Sequence, residues 1–151
     1  MFFLCPTHRR QLATLSDTEH EALWLRWLNQ AGLHYGFHQW RDALPYIGCA
    51  YDLSEDALWR SPADKTSPLL RFLLSSLYLI NTCHHLGDQR RLAQVRHQSA
   101  AYLRQIEADK DLCRLANVYQ TVLRDPSRHA DFFKDHLNLP FEDATKTHTC
   151  H

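Results

Sequence analysis

Glycine and proline are scarce, at four and six in 151 residues. Folds made of many short strands use both freely in their turns, so the scarcity argues against a sandwich or barrel and for helices. No Gly-rich loop that could cradle a phosphate occurs, and no Gly-x-Ser-x-Gly elbow, which excludes the commonest nucleotide-binding and hydrolase signatures. No run of 18 apolar residues exists. Leu69 to Leu86 comes closest but is broken by Arg71, Asn81, His84 and His85, so no membrane span is expected. The apolar run Met1–Leu4 is too short for a secretion signal, and Arg9 and Arg10 follow it rather than precede it. An excess of either charge is missing as well, because 17 Lys and Arg balance 17 Asp and Glu. A neutral chain is not built for bulk attraction to nucleic acid or anionic membrane, and it resists self-association weakly, so a homodimer fits its composition.

What is present is an ordinary globular mixture, 44% apolar and 23% charged, in a chain the length of one domain. Thirteen of the 17 basic residues are arginine, and eleven histidines give a large reserve of charge between pH 7 and pH 5. The five cysteines, Cys5, Cys49, Cys83, Cys113 and Cys150, are odd in number and widely spaced. Cys49, Cys83 and Cys113 sit among apolar residues and read as small core residues of a cytoplasmic, reducing compartment.

Apolar periodicity predicts helices over about 18–34, 38–52, 68–86, 89–107, 109–124 and 127–137, with a short separate turn at Ser54–Trp59. Ser16 or Asp17 caps the first, Ser67-Pro68 starts the third, and Gly87 and Asp88 separate the third from the fourth. Pro45 falls within or just ahead of the second helix and either kinks it or delays its start. Residues 1–17 read as a lead-in segment, 18–140 as a single all-α domain and 141–151 as a polar tail. A pattern returns after 50 residues: Ala43, Ala50 and Leu53 correspond to Ala93, Ala100 and Leu103, and Leu23, Trp24 and Trp27 to Leu73, Leu74 and Leu77. Two alanines seven apart lie on one helix face and give large residues of a neighbouring helix a shallow surface to pack on.

Leu28-Asn29-Gln30-Ala31-Gly32-Leu33-His34-Tyr35, followed by Ala43, Ile47 and Ala50, resembles a tetratricopeptide repeat. The match gives the small pair and tyrosine of that motif's first helix and the alanine, bulky residue and alanine of its second. The following pair has Thr82 and His85 where the first has Gly32 and Tyr35, at an offset of 50 rather than 34. The resemblance implies three antiparallel helix pairs, about six helices, stacked as a short right-handed solenoid or compact bundle. It also implies a peptide or partner helix held between pairs, with Arg26, Asn29, Leu33, Leu77, Asn81 and His84 facing it. Asparagine suits an extended peptide backbone, since it offers both donor and acceptor.

Three further clusters carry chemistry. Cys5 and His8 at one end, with His148, Cys150 and His151 at the other, supply the thiolate and imidazole ligands that zinc favours in a closed tetrahedral site. Cys83-His84-His85 offers a thiol beside imidazoles, although adjacent helical residues point apart. Arg90, Arg91, Arg96 and Arg104 form a basic face, with Arg90, His97 and Arg104 recurring every seven residues. Glu19-His20-Glu21 lacks the second histidine of a zinc-protease helix. The expected function is a non-catalytic protein-interaction module, an adaptor, chaperone or regulatory subunit. The alternatives are a nucleic-acid-associated regulator using the arginine face, and a zinc-stabilised or cysteine-dependent enzyme.

Overall fold

Pro6 begins a helix where none is predicted. Proline suits a first helical position because its missing N–H is unneeded there, and α1 runs Pro6–Leu12 with no residue buried. The computed structural model describes residues 3–60 and 64–142. The candidate ligands His148, Cys150 and His151, and the polar tail beyond residue 142, lie outside the described residues. Among those described, the chain is all helical, with seven α-helices and one 3-10 turn. It divides into two compact units, residues 1–75 and 76–151, with the division inside α4 (Thr66–Leu86).

In the first unit, α2 (Asp17–Gly36) opens on a reciprocal cap. The Glu19 N–H donates to Ser16 Oγ at 3.2 Å, and the Ser16 N–H donates to the Glu19 carboxylate at 2.9 Å. The turn into α3 (Trp40–Trp59) takes only three residues, and His38 adopts the left-handed backbone there, with φ 58°. So short a turn returns α3 antiparallel along α2. Trp24, Leu28, Ala31 and Tyr35 of α2 are buried with Ala43, Ile47, Ala50 and Leu53 of α3. α3 runs on through Ser54–Trp59, which is no separate turn, because Tyr51, Leu53, Ala57 and Leu58 continue its buried side. Pro45 does not break it. The carbonyl deprived of a partner belongs to Arg41, and both residues are exposed, where water can satisfy it. From the start of α4, Phe72 packs its ring on Tyr51 with centroids 5.4 Å apart, and Ser75 accepts the Trp24 indole N–H at 2.7 Å.

The lead-in is anchored to this unit. The N–H groups of Phe3 and Leu4 donate to one carboxylate oxygen of the buried Asp52, at 2.6 and 2.7 Å. The Phe3 ring lies against Gly48, on the space a Cβ would take. Arg60, just past α3, reaches back to the carbonyls of Leu12 and Leu15, at 2.9 and 2.8 Å, closing the turn between α1 and α2.

In the second unit, Gly87 ends α4 with φ 69°, and the Asp88 carboxylate caps α5 (Gln89–Glu107) through the Arg91 N–H at 3.0 Å. α5 packs on α6 (Cys113–Arg124). α6 starts four residues later than its acidic lead suggests, because the Asp109 carbonyl and carboxylate hold residues 111–113 in a turn. A 3-10 turn, Pro126–Arg128, then leads into α7 (His129–His136). Tyr78, Phe133 and Phe141 form an aromatic cluster, with Phe133 4.8 Å from each of the other two rings. The 50-residue correspondence fails at Ala93, which is exposed. The buried strip of α5 is Leu92, Val95, Ser99, Leu103 and Ile106, and Ala93 is turned about 100° from Leu92.

Candidate functional site

The partner-facing residues expected from the sequence separate by element. On α2, Arg26, Asn29 and Leu33 are exposed, Leu33 by 62%. Phe37, which caps the helix, is 78% exposed and Leu25 is 43% exposed. Leu25, Asn29, Leu33 and Phe37 recur every four residues, so they run along one side of α2, drifting about 40° per step. On α4, Leu77 and Asn81 are buried and only His84 is exposed. The α2 side is thus an open apolar strip with Arg26 beside it. The sequence signal for Leu25 and Phe37 was their four-residue register with Leu33.

Arg90, Arg96, His97 and Arg104 are exposed on α5, as a basic face requires. Arg91 is half-buried and pairs with Asp88 at 2.9 Å, which commits it to the cap. Arg96 lines a cleft of about 330 Å³ with Ala100, Leu123, Arg124 and Pro126.

Cys5 and His8 do meet. The Cys5 Sγ lies 3.3 Å from His8 Nδ1, one turn apart and exposed. Among the described residues no group of three or more His, Cys, Asp or Glu side chains is placed to hold a metal ion. Cys83 is fully buried, and burial pushes its thiol up to about 12; burial, with Asp52 nearby, pushes Cys49 up to about 11. Both are protonated at neutral pH and poor nucleophiles.

A polar cavity of about 190 Å³ opens beside the start of α4, lined by residues that include His20 and Glu21 of α2, Arg60, and Ser67 and Arg71 of α4. Arg71 is 8% exposed, yet among the described residues its Nε and Nη1 have no hydrogen-bond partner. Burial lowers its pKa, opposed by the carboxylates of Glu21 and Asp17. His20 is 1% exposed; its Nε2 meets the Asp56 carboxylate at 3.1 Å, and its Nδ1 has no partner among the described residues. The bond from His20, then that from Arg60, holds the Asp56 carboxyl below the usual range. Arg60 is largely committed, because besides its two carbonyls it pairs with Asp56 at 3.2 Å and Asp17 at 3.4 Å, which uses all but one of its N–H donors. Sequence periodicity shows Arg71 only as a charge interrupting an apolar helix, and it shows His20 only as a motif that fails.

Among the described residues, no helix is long and apolar enough to cross a membrane. No protein family model matches the chain, and neither a curated protein nor a solved structure matches it.

Proposed function

We propose that the chain is a non-catalytic protein-interaction module that takes an apolar-faced helix of a partner protein along the exposed side of α2. The observation that carries this reading is the alignment of Leu33 and Phe37, 62% and 78% exposed, with Leu25 two turns before Leu33. Single exposed apolar residues are ordinary; three in register on one helix form a strip that association would remove from water. Arg26 beside the strip adds a donor for an acidic group on the partner, and Asn29 within it adds a donor and an acceptor. The burial of Ala31, Gly32, Tyr35, Ala43, Ile47 and Ala50 supports the likeness to a tetratricopeptide hairpin, a kind of unit that commonly binds partner proteins. The reading puts the protein in the cytoplasm, in keeping with the free thiols of Cys5, Cys49, Cys83 and Cys113.

The test is site-specific photo-crosslinking from position 33, with position 105 on α5 as the control. A discrete adduct is expected from position 33 alone, mapping to an apolar helical segment of another protein. Phe37→Asp should abolish it while leaving the melting temperature unchanged, since the residue is exposed. Equal adducts from both positions, or an adduct with the mass of two copies of this chain, would sink the proposal.

A further inference from the structure

We propose that the cavity at the start of α4 binds a small zwitterion, a free α-amino acid, with its carboxylate on Arg71 and its ammonium between Glu21 and His20. This site is separate from the α2 strip and stands on other observations.

The first is the set of groups left without partners. A buried guanidinium with two unmade hydrogen bonds is costly, and an ionised oxygen acceptor is what its geometry fits. The neighbouring cation shares the demand less, because Arg60 already meets two carboxylates and two carbonyls. His20 has the opposite need. The Asp56 carboxylate only accepts, so a neutral His20 places its hydrogen on Nε2 and leaves Nδ1 as a bare, buried acceptor waiting for an N–H.

The second is the balance of charge. Asp17 and Asp56 are committed to Arg60, and Asp64 accepts the Thr66 N–H at 2.8 Å. Glu21 is left lining the cavity, felt by Arg71 yet in no ion pair among the described residues. Among the described residues, the cavity therefore presents the unpartnered cation of Arg71 together with the unpaired carboxylate of Glu21 and the ring-nitrogen acceptor of His20. A phosphate would satisfy Arg71 but meet Glu21, Asp17 and Asp64 as a like charge. A simple amine would satisfy Glu21 and His20 but leave Arg71 unpaired. A molecule bearing both groups satisfies all three.

The third is size. About 190 Å³ holds the liquid volume of roughly six water molecules, room for an amino acid of modest side chain rather than a folded partner. Ser67 is in the lining, in the first turn of α4, where the helix end carries partial positive charge that favours a carboxylate.

The experiment is calorimetric titration of the full chain with each of the standard L-amino acids, with acetate, methylammonium and inorganic phosphate as separate probes. At least one amino acid is expected to bind, with none of the three simple ions binding comparably. Arg71→Met, which removes a buried unpaired charge and so should fold, is expected to weaken that binding by about tenfold or more. Glu21→Gln, an exposed and conservative change, should weaken it by a similar factor. Absence of binding by every amino acid, equal binding of phosphate or acetate, or binding indifferent to both substitutions would each overturn the proposal.

Discussion

Asp52 shows how far one residue's role can depart from its local sequence. It is a carboxylate without exposure, and it accepts from backbone N–H groups 48 and 49 residues away. One turn earlier, Gly48 receives the Phe3 ring where any side chain would intrude. Gly48→Ala is expected to displace that ring and cost about 1–3 kcal/mol, an overpacking penalty, measured by urea unfolding against the parent chain. An unchanged midpoint would mean that the ring moves aside freely. Neither role was legible in the sequence, because periodicity reports which face of a helix is apolar and says nothing of what distant segment lands on it. Arg71 is the same case with the sign reversed. It looks like an interruption of an apolar run, and only the surrounding elements show that it lines a cavity with two of its nitrogens unpartnered among the described residues.

At the scale of elements, the legible parts were those with local causes. Ser16 with Glu19 starts α2, Asp88 caps α5 and Gly87 stops α4, each through groups within a few residues of one another. Helix α1 escaped because none of its residues is buried, so it has no hydrophobic period to read. The correspondence between the two alanine pairs failed for a different reason. A face is fixed by what packs on it, and the strip through Leu92, Val95, Ser99 and Leu103 turned Ala93 outward. The two sites should therefore part under the same substitution. Ala43→Leu overpacks the α2–α3 crossing, where Ala43 has no exposure, and should cost about 1–3 kcal/mol; Ala93→Leu should stay within about 0.5 kcal/mol. Thermal or urea unfolding of the two variants decides it, and equal losses would contradict the exposure of Ala93.

For the whole molecule, the clearest lever is acidity. His129 is 4% exposed and meets the Val122 carbonyl at 2.8 Å through Nε2. Burial lowers its pKa from the ordinary 6.5, and bonds to the Val122 and Leu123 carbonyls oppose that only in part. Below about pH 6.5 the unfolded chain takes up this proton more readily than the folded one. Stability from this residue is thus complete above that pH and is lost as pH falls through the folded pKa. His129→Gln keeps an N–H for the Val122 carbonyl and should flatten the fall in melting temperature between about pH 7 and about pH 5.5. A fall as steep as that of the parent would assign the loss to other histidines. Asp56, held low chiefly by His20, acts in a separate window, its contribution disappearing only below the ordinary carboxylate value of 3.8. The pair of hydrogen bonds to Asp52 has one more consequence, this time for geometry at large. Phe3 is moored to the middle of α3 by its backbone and its ring, so the stretch from Phe3 to α1 keeps a fixed bearing on its unit and not the sweep of a loose leash.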